Sequence, residues 1–223
     1  MQAGRGGETI YFRPVNVFIL SAGRSGSKTF ARACDHITNY TSAHESRSGL
    51  LGDAHFAYPE NHIESDNRLA WLLGRLDRKY GDDAFYVHLT RAVGPVAASW
   101  AKRSYTGMMN AYRYAILWHC PKGATPYQVA LDYCDTVDAN IRLFQRGRRN
   151  WMEFRLEEGR EHFPEFWRRI GAEGDLEAAL AEFDVRHNAA WDQRTDVAPG
   201  LLKRIGSKLY RIGRKLPVFL RNA

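Results

Sequence analysis

Cysteine is scarce in this sequence, long apolar runs are missing, and residues 201–223 contain no acid. The cysteines, Cys34, Cys120 and Cys134, are widely spaced and form no CxxC pair. That excludes a zinc ribbon or a disulfide scaffold and favours a reducing compartment with buried thiols. The apolar runs are far too short to cross a bilayer as a helix. The opening segment MQAGRGGETIYFRP has no apolar stretch of its own, so no secretory signal is expected. The formal net charge is +7, and Lys203, Arg204, Lys208, Arg211, Arg214, Lys215 and Arg221 account for all of it. Residues 1–200 are therefore formally neutral, which argues against the broad basic footprint of a nucleic-acid-binding domain.

What is present begins at Val15. An apolar run, Val17 to Leu20, reads as a buried strand. Small, polar and basic residues from Ser21 to Ser27 follow, and then a helix start. Gly23 and Gly26 let the backbone curl and approach a ligand closely. The first amides of the helix point into that curl, where the helix dipole also favours negative charge. With Arg24 and Lys28 on either side, strand, loop and helix make a socket for a phosphate-like anion. The nearest simple motif is the P-loop, GxxxxGK[ST]. Lys28-Thr29 matches its end, but Ala22 and Ser27 stand where its glycines belong. A P-loop enzyme also needs an Asp after a second buried strand. The best candidate strand, Phe85 to Thr90, ends instead in Arg91, which suits a second anion.

Further along, strands and helices alternate. Helices are expected over Ser27–Ile37, Asn67–Tyr80, Pro95–Arg103, Phe163–Ile170 and Leu176–Phe183, and one runs from the Thr125-Pro126 cap to about Phe144. Further strands are expected at Asn39–Ala43, 84–90 and Trp151–Leu156. This order predicts an α/β, P-loop-like three-layer fold with a central, mainly parallel sheet flanked by helices. Residues 1–14 read as a flexible N-terminus, 15–200 as the domain, and 201–223 as a basic amphipathic helix. Ligand sites in such sheets lie beyond the carboxyl ends of the strands, where the loop, the segment after the second strand and Arg91 would meet.

The loop SAGRSGSKTF resembles the 5′-phosphosulfate loop of sulfotransferases that use 3′-phosphoadenosine 5′-phosphosulfate (PAPS). LTRAVGPVAASWAKR resembles their 3′-phosphate element, an Arg ending a strand with a Ser eight positions later on a helix. The likeness covers Val15 to about Arg103 and is weaker from Trp151 to Asn188. It implies PAPS as cosubstrate and no required metal. Gly23, Arg24, Ser25, Gly26, Ser27, Lys28 and Thr29 would hold the 5′-phosphate end, with Arg24 stabilising the leaving phosphate. Arg91 and Ser99 would hold the 3′-phosphate. Glu45-Ser46-Arg47 resembles the Glu–small–Arg signature of the carbohydrate and protein-tyrosine branch, making Glu45 the candidate base; the adjoining His44 is the alternative. The family's late Arg-Lys-Gly contact has only a faint echo in Arg204-Ile205-Gly206, and the sequence marks no adenine pocket.

The acceptor is expected to carry a hydroxyl and to meet covers at 46–66 and 104–124, whose mixed aromatic and polar residues suit a sugar ring or a phenol equally well; a carbohydrate, free or lipid-linked, is the acceptor expected first. Arg47, His55 and His62 are its candidate contacts. The basic segment 201–221 either docks its leucines on the domain or lies on an anionic membrane. The family likeness implies a cytoplasmic protein, peripheral at the inner membrane surface if that segment binds lipid. Two rival readings stay open: a P-loop nucleotide kinase or ATPase, and a non-catalytic basic nucleic-acid or scaffold protein.

Overall fold

A computed structural model describes residues 15–185 apart from 119 and 122. The expected N-terminal segment and the basic helix at 201–223 lie outside the described residues. Five strands, β1 (Val17–Leu20), β2 (Thr41–His44), β3 (His62–Ser65), β4 (Phe85–Thr90) and β5 (Trp151–Arg155), form one sheet in the order β2-β3-β1-β4-β5. Every pairing is parallel. The chain starts at the centre, builds β2 and β3 on one side of β1, then crosses to β4 and β5. The change of direction beside β1 leaves a crevice beyond the strands' carboxyl ends.

Strand alternation sorts the side chains into two cores. Val17 and Ile19 pack with Phe30, Cys34, Phe163 and Phe166. These come from α1 (Ser27–Cys34) and α6 (Gly159–Ile170), with α7 (Leu176–Ala181) on the same side. Phe18 and Leu20 face Leu76, Val96, Trp100 and Tyr133. Those lie on α2 (Leu73–Tyr80), α3 (Val93–Ala101) and α5 (Pro126–Gln145); a short α4 (Gly107–Ala111) precedes α5. The result is the expected three-layer α/β architecture. β1 is buried on both faces, as a central parallel strand should be.

Local chemistry explains the element ends. Thr125 and Gln128 form a reciprocal capping box around Pro126 at the start of α5. Cys34 and Cys134 are buried, and burial pushes the Cys134 thiol up to about 12. The single helix expected over Asn67–Tyr80 is instead a 3₁₀ turn, Asn67–Trp71, followed by α2. Asp66 caps the 3₁₀ turn by accepting from the Arg68 amide. β3 was not foreseen, because only Ile63 in His62–Ser65 is apolar although all four residues are buried. Among the described residues no helix is long and apolar enough to cross a membrane.

Candidate functional site

The loop between β1 and α1 is held in an unusual backbone shape. Gly23, Arg24 and Gly26 have φ of 75°, 59° and 91°. A Cβ on Gly26 would lie 2.5 Å from Leu156, and one on Gly23 would crowd Trp100 and Asn67. Small size and left-handed freedom are both needed at these two positions. The loop is braced from inside: Ser25 Oγ donates to the Gly23 carbonyl, and Trp100 Nε1 donates to the Ala22 carbonyl. Helix geometry leaves the amides of the first turn of α1 without intrahelical partners.

The loop meets the end of β4 directly. Arg24 Nε donates to Ser99 Oγ at 2.9 Å, and Arg91 Nη1 approaches the Arg24 carbonyl at 3.4 Å. Arg103 Nη1 donates to the Ser99 carbonyl at 3.1 Å. Arg24, Arg91, Ser99 and Arg103 therefore form one cationic cluster at the carboxyl edge. Across the end of β5, Glu157 accepts from the Ala92 amide at 3.0 Å and lies 4.0 Å from Arg91. A cleft of about 610 Å³ opens beside Ser25 and Arg91, and His88, Asp138 and Arg142 form its far wall.

On the other side of β1, Ser27 Oγ lies 3.0 Å from His44 Nε2 at the end of β2. Burial pushes the His44 pKa below its usual value; Lys28 acts in the same sense and Glu45 opposes it. Glu45 has a φ of 55° and pairs with Arg68 at 3.0 Å. Lys28 is exposed on α1, whereas Thr29 is buried.

The three expected acceptor contacts, Arg47, His55 and His62, are each engaged within the protein. Arg47 spends a donor on the Ala54 carbonyl and covers the Tyr58 ring. His55 is buried and bonds the Leu50 carbonyl. His62 opens β3 at the amino end of the sheet, buried between Thr41 and Glu64. It lies on the wrong edge to meet an acceptor at the carboxyl ends, because β3 runs parallel to β1.

Several residues at the site were not picked out from the sequence. Asp66 follows β3, is fully buried, and has one carboxylate oxygen with no hydrogen-bond partner. Burial raises its pKa against the opposing pull of the Arg68 amide. Arg68 pairs with Glu45, and Leu156 packs against Gly26. No motif marked them, since Asp66, Arg68 and Leu156 lie in or beside short turns just after strands.

No family model matches the chain, and neither does any curated protein sequence. Solved structures do. The sulfotransferase domain from the curacin biosynthetic pathway superposes with a TM-score of 0.55 at 14% identity, over 78% of this chain and 79% of that one. The sulfotransferase domain from the Synechococcus PCC 7002 olefin synthase gives 0.53 at 17% identity, over 96% of this chain and 100% of that one. The chain therefore has a sulfotransferase-like fold.

Proposed function

We propose that this protein transfers the sulfuryl group of PAPS to a hydroxyl acceptor. The observation that carries the reading is the contact chain from Arg91 to the Arg24 carbonyl and from the Arg24 guanidinium to Ser99, which brings two elements, the loop after β1 and the end of β4, together at one sheet edge. A nucleotide with phosphates at both ends matches two such elements; a nucleotide with one phosphate end does not.

In this reading the amides and hydroxyls of Gly23–Thr29 cradle the 5′-phosphate, and Arg91 with Ser99 takes the 3′-phosphate. Arg24 neutralises the charge that grows on the phosphate oxygen as its bond to sulfur breaks. The acceptor oxygen forms the new bond to sulfur and passes its proton to Glu45. Arg68, 3.0 Å away, holds that carboxylate at the sheet's carboxyl edge. His44, held neutral by burial, is the alternative base. A sugar or glycolipid acceptor would sit over Glu45. The basic segment 201–221 would bring the enzyme to an anionic membrane if the acceptor is lipid-linked.

One observation favours a second reading, nucleotide phosphoryl transfer. β3, hydrogen-bonded to β1, is followed directly by a buried Asp66, a location suited to a magnesium-binding carboxylate. Its free oxygen and Lys28-Thr29 fit that chemistry; Arg91 and Ser99 have no task in it.

Labelled-sulfate transfer from PAPS to a panel of sugars, phenols and glycolipids tests the main reading. Transfer to at least one hydroxyl class is expected, and Glu45→Ala should slow it at least about a hundred-fold. No transfer to any class would contradict the proposal, and normal turnover in Glu45→Ala would move the base to His44.

A further inference from the structure

Glu64 is the most completely buried acid on the sheet, with 0% exposure at the third position of β3. Three donors converge on it. The Ser46 amide reaches Oε1 at 2.9 Å, the Ser46 hydroxyl reaches Oε2 at 2.5 Å, and His62 Nε2 reaches Oε2 at 3.1 Å. His62 Nδ1 in turn lies 2.8 Å from the Thr41 hydroxyl. A neutral ring satisfies both contacts, donating from Nε2 to Glu64 and accepting at Nδ1 from Thr41. Burying a carboxylate is costly without such partners. Here the hydrogen bonds prevail: desolvation would raise the Glu64 pKa, but the His62 and Ser46 bonds hold it below the usual carboxylate range.

The consequence falls on the neighbouring residue. The Glu45 amide donates to the Ser65 carbonyl, so the chain still follows β3 there. At Glu45 it turns with φ of 55°, a left-handed conformation that a non-glycine residue adopts only when its surroundings impose it. Ser46, one residue on, is gripped by both backbone and side chain. The turn is thus pinned on both sides, and its carboxylate is presented to Arg68 at the sheet's carboxyl edge.

We infer that Glu64 is a positioning residue: by clamping Ser46 it fixes the strained turn that aims Glu45 at the reacting hydroxyl, with His62 and Thr41 as its backing. The clamp itself stands on the geometry; its catalytic consequence rests on the reading of Glu45 as base. It gives His62 a role the sequence did not suggest, behind the site instead of in contact with the acceptor.

Two variants test it, Glu64→Gln and Ser46→Ala, the second at an exposed residue whose loss leaves the Ser46 amide and His62 bonds to Glu64 in place. Amide hydrogen exchange over residues 44–48 should rise at least about ten-fold in both, with β1 and β4 unchanged. Unchanged exchange at 44–48 in both would overturn the clamp, whatever the enzyme's activity. Release of 3′-phosphoadenosine 5′-phosphate (PAP) from PAPS, with the panel of sugars, phenols and glycolipids as acceptors, reads the catalytic route. Each variant should lower kcat about ten-fold and leave the KM for PAPS within about two-fold, yet lower kcat no further when added to Glu45→Ala. A further drop of similar size in that background would show that Glu64 does not act through Glu45. Absence of PAP release from the wild type would contradict the transfer reading alone, since exchange still decides the clamp.

Discussion

Arg24 and Ser99, 75 residues apart in sequence, are joined by a 2.9 Å hydrogen bond from the guanidinium Nε to the hydroxyl. The bond ties the loop after β1 to the helix after β4. It holds the Arg24 side chain against α3 at the carboxyl edge of the sheet. Replacing Arg24 with Ala should slow sulfuryl transfer at least about a hundred-fold, as expected for loss of a cation aimed at developing charge. PAP affinity, measured by calorimetry, should fall less than transfer does. An equal fall in both would assign Arg24 to binding alone.

Gly26 makes a second prediction. Its φ of 91° and the 2.5 Å approach of Leu156 impose separate costs on any side chain. Gly26→Ala should destabilise the fold by about 1–3 kcal/mol. Adding Leu156→Ala should recover the steric part and leave the backbone part. Thermal unfolding of the two variants checks both statements. No recovery would mean that the left-handed conformation alone sets the cost.

His44 offers a pH test. Its pKa is lowered by burial, lowered further by Lys28 and raised by Glu45. NMR titration should find it below the ordinary value of about 6.5. Glu45→Gln should lower it more, and Lys28→Met should raise it. The folded ring binds its proton less tightly than the unfolded one. Its contribution to stability is therefore full above the ordinary value and is lost as pH falls through the folded pKa. An imidazole titrating above 6.5 in the native protein would contradict this account.

The start of α5 supplies a test of local chemistry. Thr125 accepts from the Gln128 amide at 3.2 Å, and the Gln128 side chain accepts from the Thr125 amide at 2.9 Å. Thr125→Ala should cost about 1 kcal/mol of stability, read as a lowered urea midpoint with an unchanged slope. An unaltered midpoint would show that α5 is held by its packing on α3 alone.

How legible was this protein in its sequence? β1, β4 and α5 were, because each states its structure locally: a continuous apolar run, a second run ending in Arg91, and a Thr-Pro cap. The α/β architecture followed from their alternation. β3 was not, because His62, Glu64 and Ser65 are polar yet buried, which tertiary hydrogen bonds with Thr41, Ser46 and Ser27 make tolerable. The 3₁₀ turn after Asp66 was hidden because Leu69, Leu72 and Leu76 satisfy a helical spacing whether or not the helix is continuous. At the site, the loop and Arg91 were marked by glycine and charge in sequence. Asp66, Arg68 and Leu156 were not, since their importance comes only from the order of strands that brings them beside Glu45 and Gly26.

The central claim is that one sheet edge holds both phosphate ends of a single nucleotide. Calorimetric titration of the wild type with 3′-phosphoadenosine 5′-phosphate, against ADP with magnesium, tests it most directly. The account predicts at least about ten-fold tighter binding of the former, a difference near 1.4 kcal/mol, that Arg91→Ala abolishes. Equal affinity for the two, or tighter binding of magnesium–ADP, would contradict it.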